Sequence, residues 1–184
     1  ERIAARRNTV QERVDLAAEV TTGDDQFVWW CNLNAEAEMA AKRMGAVNLH
    51  GSLSDTEKER IIIDFQDGKI KRLVTKSSIA GFGVNWQGCH QTGFIGLNDS
   101  WEQFYQAVRR FWRFGQTSPV DCHIVTSELE GATVANIKRK EADAETRAYI
   151  KSLRQQADEL DHEVEMLEVL GQTQRHLLQG LQAI

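Results

Sequence analysis

Apolar residues in this chain gather into five short runs, separated by longer stretches in which they recur every three or four positions. The runs are FVWWC (27–31), AVNLH (46–50), RLVT (72–75), TGFIGL (92–97) and VDCHIVT (120–126). Their shortness and their content of strand formers predict strands. The stretches between them read as helices. Residues 3–20 form a leading amphipathic helix, with Ile3, Val10, Val14 and Leu16 to Ala18 mostly on one side. Asn34 is placed to cap AEAEMAAKRM, which Gly45 closes. Ser54 and Glu57 form an S-x-x-E capping box for DTEKERIIIDFQ, which ends at Gly68. Ser100 and Gln103 repeat the device for a helix spanning WEQFYQAVRRFWRF, which Gly115 ends.

Strand and helix alternate with short links. This order predicts a parallel α/β sheet covered by helices, because each crossover must return over a face of the sheet. In such sheets the strand C-terminal ends hold the site. Here those ends are the loops 32–34, 50–54, 76–85 and 98–100. Past residue 128 the pattern is helical throughout, giving a leading helix (1–20), a body (21–127) and a helical tail (128–184). Ile150, Leu153, Ala157, Leu160, Val164 and Leu167 step by three and four, a heptad seam interrupted at Gly171 and Gln174. Two helices packed on each other or on the body account for this seam, and so does self-association as a coiled-coil dimer.

Charge alters this picture little in sum and more in detail. The net charge is −5. The first 126 residues hold 15 basic and 16 acidic side chains, and the rest hold 7 and 11. The acidity therefore sits in the tail, and the body is free to present a local basic face. No apolar run approaches the roughly 18 residues of a membrane span, which argues against a membrane partner. Three cysteines, odd in number and far apart, fit a reducing compartment. Cys89-His90 and Cys122-His123 resemble paired metal ligands, but neighbours on a strand point to opposite faces, so no metal site is expected. The chain opens on Glu1, which fits an excised piece or a processed product.

Two stretches bear candidate chemistry. KSSIAGFGVN (76–85) follows the third strand, and its glycines let backbone amides approach a phosphate. In QAVRRFWRFGQ (106–116), a continuous helix places Gln106, Arg110 and Arg113 on one face and turns Arg109 elsewhere. Two guanidinium forks and an amide suit a polyphosphate. Phe111, Trp112 and Phe114 are then expected to hold that helix on the sheet. The plainer alternative is a helix whose arginines pair with Asp and Glu. Trp86 is open to two readings, a ring stacked on a base or a ring filling the core.

Taken in order, FVWWCNLNAEAEMAAKRMG, HGSLSDTEKERIIIDFQDG, LVTKSSIAGFGVNWQ and SWEQFYQAVRRFWRFGQTSPV resemble the second RecA-like lobe of superfamily 2 helicases. The resemblance covers motifs IV, V and VI from Phe27 to Ser127 and is nearest to the Swi/Snf-type branch, including phage and prophage helicases. It implies a RecA-like sheet of the P-loop NTPase type and an ATP-driven motor acting on DNA. Arg113 corresponds to an arginine finger on the γ-phosphate, with Arg110 as its partner and Gln106 ordering the site. Gly83 and Asn85 correspond to motif V positions near the ribose. His50, Gly51, Ser52, Lys76 and Ser77 correspond to loops that touch a nucleic-acid backbone. Two positions depart from the pattern: Arg109 replaces a usual acidic residue, and Phe82 replaces a smaller one.

No G-x-x-x-x-G-K-[ST] phosphate loop occurs, and the only string like an acidic metal box, Asp158 to Asp161, lies in the heptad segment. ATP and Mg²⁺ are therefore expected to be held mainly by a first, N-terminal RecA-like lobe. This chain alone is expected to hydrolyse no ATP. The rival readings are an interaction module working through the tail and an RNA-directed helicase. The resemblance implies the cytoplasm of a bacterial or phage-infected cell.

Overall fold

The computed structural model describes residues 7–79, 84–127 and 130–182, with side chains in the last helix described for only part of its length. The chain divides into two compact units, Glu1–Lys138 and Arg139–Ile184.

The first unit is an α/β domain. In chain order it contains α1 (Val10–Val20), β1 (Phe27–Cys31), α2 (Asn34–Met44), β2 (Val47–Leu49), α3 (Asp55–Gln66), β3 (Arg72–Thr75), β4 (Gln91–Ile95), α4 (Trp101–Val108), β5 (Asp121–Val125) and the start of α5 (Gly131–Gln182). The five strands form one sheet in the order β2-β3-β1-β4-β5. Every neighbouring pair is parallel. The five expected strands are all present, with ends within two residues of those read from the sequence.

β1 is buried along its whole length, as a central strand covered on both faces must be. Its side chains alternate between two cores. Phe27, Trp29 and Cys31 join Val10, Val14, Ala17, Ala37, Ala40 and Met44, so α1 and α2 cover one face. Val28 and Trp30 join Ile61, Phe65, Trp86, Ala107, Phe111 and Ile137, so α3, α4 and the first turns of α5 cover the other. Trp86 is therefore a core ring. Gly93 lies opposite Trp29 across the β1–β4 pair. A Cβ there would sit 2.3 Å from the Trp29 ring, so no larger residue fits.

β1 lies at the middle of the sheet. The chain leaves it towards β2 on one side and leaves β4 towards β5 on the other. Such a switch point opens a crevice at the strand C-terminal ends. The cap expected at Ser54 is complete: its hydroxyl accepts from Glu57 N at 3.3 Å, and Glu57 Oε2 accepts from Ser54 N at 3.0 Å. The cap expected from Asn34 is not formed. Glu36 takes that role, its carboxylate accepting from the amides of Asn32 (3.0 Å) and Leu33 (2.9 Å).

The second unit lies within α5. The tail is one helix that runs through Gly171, where the sequence allowed two. Along its described part Tyr149, Ile150, Leu153, Leu160 and Met166 are exposed. No described helix is long and apolar enough to cross a membrane.

Candidate functional site

The segment from Ser100 to Gly115 shapes the main cavity. Ser100 caps α4, its hydroxyl accepting from Gln103 N at 3.3 Å. The second half of the expected capping box is absent. Ser100 N donates to Asn98 Oδ1 instead (3.0 Å), which frees Gln103 Oε1 to accept from Asn98 Nδ2 (2.6 Å) and Ser77 Oγ (3.3 Å). That redirected amide ties the loop after β3 to α4.

α4 ends at Val108, six residues earlier than the sequence pattern suggested. Beyond it the backbone tightens: Arg110 N donates to Ala107 O (3.3 Å), Phe111 N to Val108 O (3.0 Å) and Gln116 N to Arg113 O (3.0 Å), with Trp112 N to Val108 O (3.2 Å) the one α-type bond beyond Arg109. Such i→i+3 closures wind about three residues per turn, so the side-chain positions rotate relative to an α-helix. Two expectations built on a continuous helix fail for this reason. Arg109 does not turn away but lines the cavity with Gln106, Arg110 and Arg113. Of the three aromatics, only Phe111 is buried; Trp112 and Phe114 are exposed. Phe111 packs against Trp30 and Trp86 and fixes the turn to the core. The segment stops at Gly115, whose φ of +96° is a glycine conformation.

The resulting cavity, about 640 Å³, is lined by Ser77, Ser78, Ser100, Gln103, Gln106 and Ala107, by Glu102, and by the three arginines. The two arginines expected to act together differ in setting. Arg110 is only 6% exposed, with its guanidinium 6.0 Å from the centre of the Trp30 ring. Burial, and then the neighbouring charge of Arg113, push its pKa below the usual arginine value. Arg113 is exposed, and its Nε donates to the Arg109 carbonyl at 3.3 Å. Arg109 stacks over the rings of Trp112 (5.5 Å) and Tyr105 (6.0 Å). Cationic forks beside hydroxyls and amides fit the oxygens of a polyphosphate. Glu102 is the one carboxylate among these lining residues. Among the described residues no cluster of three potential metal ligands occurs. Cys89 instead donates to the carbonyls of Gln26 and Gln91, and burial raises its pKa to about 12.

A second cavity, about 410 Å³, opens at the same strand ends, where His50, Gly51, Ser52 and Lys76 meet Asn34, Glu38, Asn48 and Ser78. His50 Nδ1 and Ser52 Oγ are 2.9 Å apart, and Lys76 Nζ donates to Asn34 Oδ1. Four of the five expected backbone-contact residues are thus together. The fifth, Ser77, faces the arginine cavity instead, and Ser78 borders both.

Gly83 lies outside the described residues. Asn85 does not line the arginine cavity, and the amide of the next residue, Trp86 N, donates to Arg110 O at 3.0 Å. The Asn85 carbonyl accepts from Gln66 Nε2 (3.0 Å), and the residue borders a cavity of about 430 Å³ with Gln26, Phe65, Gln87 and Cys89. That cavity sits at the strand N-terminal ends. One buried group escaped the sequence reading. Arg13 Nη2 lies 2.7 Å from Glu36 Oε1, and Arg13 Nε lies 3.8 Å from Glu130 Oε2, all three residues being at most 4% exposed. Gly96, with φ +75°, leaves room for this arginine; a Cβ there would be 2.7 Å from Arg13 Nη1. The hydrophobic side of a leading helix gave no hint of a buried cation, and only the paired acids far along the chain could have done so.

A five-stranded parallel sheet with arginines at its switch-point edge defines an α/β lobe of the RecA-like kind. The chain belongs to the helicase conserved C-terminal domain family, whose profile matches residues 12–115, more than half of its length. Its fold is that of a RecA-like helicase C-terminal domain. The fold is similar to the C-terminal domain of the DEAD-box protein Dbp5, at 18% identity and TM-score 0.62, over 72% of this chain and 80% of that one. It is also similar to the C-terminal part of the Fun30 ATPase domain, at 14% identity and TM-score 0.61, over 68% of this chain and 44% of that one. A third similar structure is S. cerevisiae Dbp5 bound to RNA and ADP BeF3, at 18% identity and TM-score 0.61. There the match covers 71% of this chain and 36% of the other. No curated protein sequence matches the chain.

Proposed function

We propose that this lobe belongs to an ATP-dependent DNA helicase or translocase of the Swi/Snf-type branch, of phage or prophage kind, working in the cytoplasm. The observation that supports it is the cavity at the switch-point edge, where Arg110 and Arg113 meet Gln106 and the Ser77–Ser78 loop. In this reading a first lobe grips ATP and Mg²⁺, and closure of the two lobes brings the arginines onto the phosphates. Arg113, being exposed, is the finger, and Arg110 is its seated partner. The adjoining cavity with His50, Ser52 and Lys76 takes the DNA backbone through hydroxyls, amides and one cation, which gives salt-sensitive binding with little sequence preference.

The Arg113→Ala variant of the longer protein tests this. Loss of ATPase activity with DNA binding retained supports the motor; unchanged ATPase activity supports an interaction module in which the tail binds a partner and the sheet only scaffolds it. The likeness to Dbp5, seen with RNA, gives the RNA-directed reading its footing. Comparing stimulation by duplex DNA, single-stranded DNA and RNA separates the two. The exposed apolar positions of the tail are suited to self-association, read directly by the oligomeric state of the chain with and without residues 139–184.

A further inference from the structure

Arg110 differs from the other two arginines of the large cavity in being buried. Beneath a buried guanidinium the face of an aromatic ring helps keep it charged and aimed, and more strongly once water is excluded. Trp30 lies in that position, 6.0 Å from the Arg110 guanidinium.

The ring is itself held on every side. Its Nε1 donates to Thr92 Oγ1 at 2.9 Å, and that hydroxyl donates to Val28 O at 3.0 Å. Phe94 stacks on it, Trp86 tilts against it and Phe111 meets it edge-on. Trp30 is at the same time the last buried aromatic before the C-terminal end of β1. It borders a narrow slot between the ends of β1 and β4 that shares Ser77 and Gln103 with the large cavity. The central strand thus runs a rigid π face up to the floor beneath one of the two arginines.

We propose that Trp30 is a positioning residue for Arg110: its ring, locked through Thr92, seats the guanidinium so that it meets a triphosphate in one orientation. This rests on the reading of the cavity as a phosphate site. Trp30 touches no substrate; it acts only through Arg110. Two consequences follow. An aromatic replacement that keeps a π face should keep the function, and an aliphatic one of comparable bulk should lose it. Loss of core packing elsewhere on the same face should not mimic that loss.

The test measures the affinity of this chain for inorganic tripolyphosphate at low salt, with thermal stability recorded in parallel. Six proteins are compared: the wild type, Trp30→Phe, Trp30→Leu, Thr92→Val, Phe65→Leu and Arg113→Ala. Trp30→Phe is expected to bind within about threefold of wild type and Trp30→Leu roughly tenfold or more weakly, the scale of a desolvated cation–π contact. Phe65→Leu removes a core ring of the same face that packs on Trp86 and is expected to bind within about twofold. Thr92→Val keeps the ring but frees its N–H, and is expected to fall between these limits. It supplies the comparison if Trp30→Leu does not fold. Equal weakening by Trp30→Leu and Phe65→Leu, or by Trp30→Phe and Trp30→Leu, overturns the positioning role and leaves the phosphate site standing. If Trp30→Leu is unfolded, wild-type affinity in Thr92→Val overturns it. No tripolyphosphate binding by the wild type, or none lost in Arg113→Ala, overturns the phosphate reading and this proposal with it.

Discussion

The two ends of the sheet make an instructive pair. Each opens into a cavity of several hundred cubic ångströms, and each is lined by polar side chains from loops next to strand ends. At the C-terminal end the lining includes three arginines, and one is anchored on a core ring. At the N-terminal end it is Gln26, Gln66, Asn85 and Gln87, neutral amides largely occupied with backbone groups. Gln26 Nε2 alone bridges the carbonyls of Phe65 (2.6 Å) and Ile70 (2.7 Å). One end spends its polar groups on closing the fold and the other holds cations at an opening. A concave surface becomes a candidate site when its charges are fixed without being consumed by the fold.

This contrast is open to direct attack. The largest effect is expected from Arg110→Ala in the longer protein: ATP turnover should fall roughly 10³-fold or more, the scale of an arginine acting on a transferring phosphoryl group. Asn85→Ala, at the opposite end, should leave turnover unchanged in the same steady-state assay. Equal losses would erase the distinction between the two ends. Gly93→Ala should harm both ends together, because the added methyl overpacks against Trp29 in the sheet they share. A loss of about 1–3 kcal/mol in chemical denaturation is the expected scale. Lys76→Ala should weaken DNA binding several-fold at every sequence and reduce the slope of log K against log salt by about 1. A sequence-dependent loss would count against a backbone contact.

The smallest effect concerns pH. The Ser54 hydroxyl and amide hold the Glu57 carboxyl below its ordinary pKa. A carboxyl depressed in the folded state stabilises the fold above its unfolded pKa, and that contribution is lost as pH falls through the folded value. Glu57→Gln should therefore lower stability slightly at neutral pH, leave it almost unaltered at low pH, and so flatten the acid side of the profile. Melting temperatures between pH 3 and 7 would check this.

The sequence made the sheet legible because each strand is a compact apolar run and each helix has a recognisable stop. FVWWC could scarcely be anything but a central strand once parallel neighbours were expected. The arginine edge was legible too, since Gln106, Arg110 and Arg113 follow the strand-end logic of the fold. Other features depended on detail that periodicity does not contain. Whether α4 continued past Val108 was decided by local i→i+3 closures, and that choice moved Arg109 into the cavity and left Trp112 and Phe114 outside the core. Asn85 lines the other cavity, because the described segment that holds it leads into the N-terminal end of β4. Arg13 was hidden because its partners, Glu36 and Glu130, are 23 and 117 positions away.

The central claim is that the exposed Arg113 completes a phosphate site whose other half lies on a neighbouring lobe. Single-turnover cleavage of ATP by the longer protein, wild type against Arg113→Ala, tests it most directly when ATP affinity is measured alongside. The account predicts that the cleavage rate drops by about three orders of magnitude while ATP still binds. Cleavage at the wild-type rate in Arg113→Ala would contradict it.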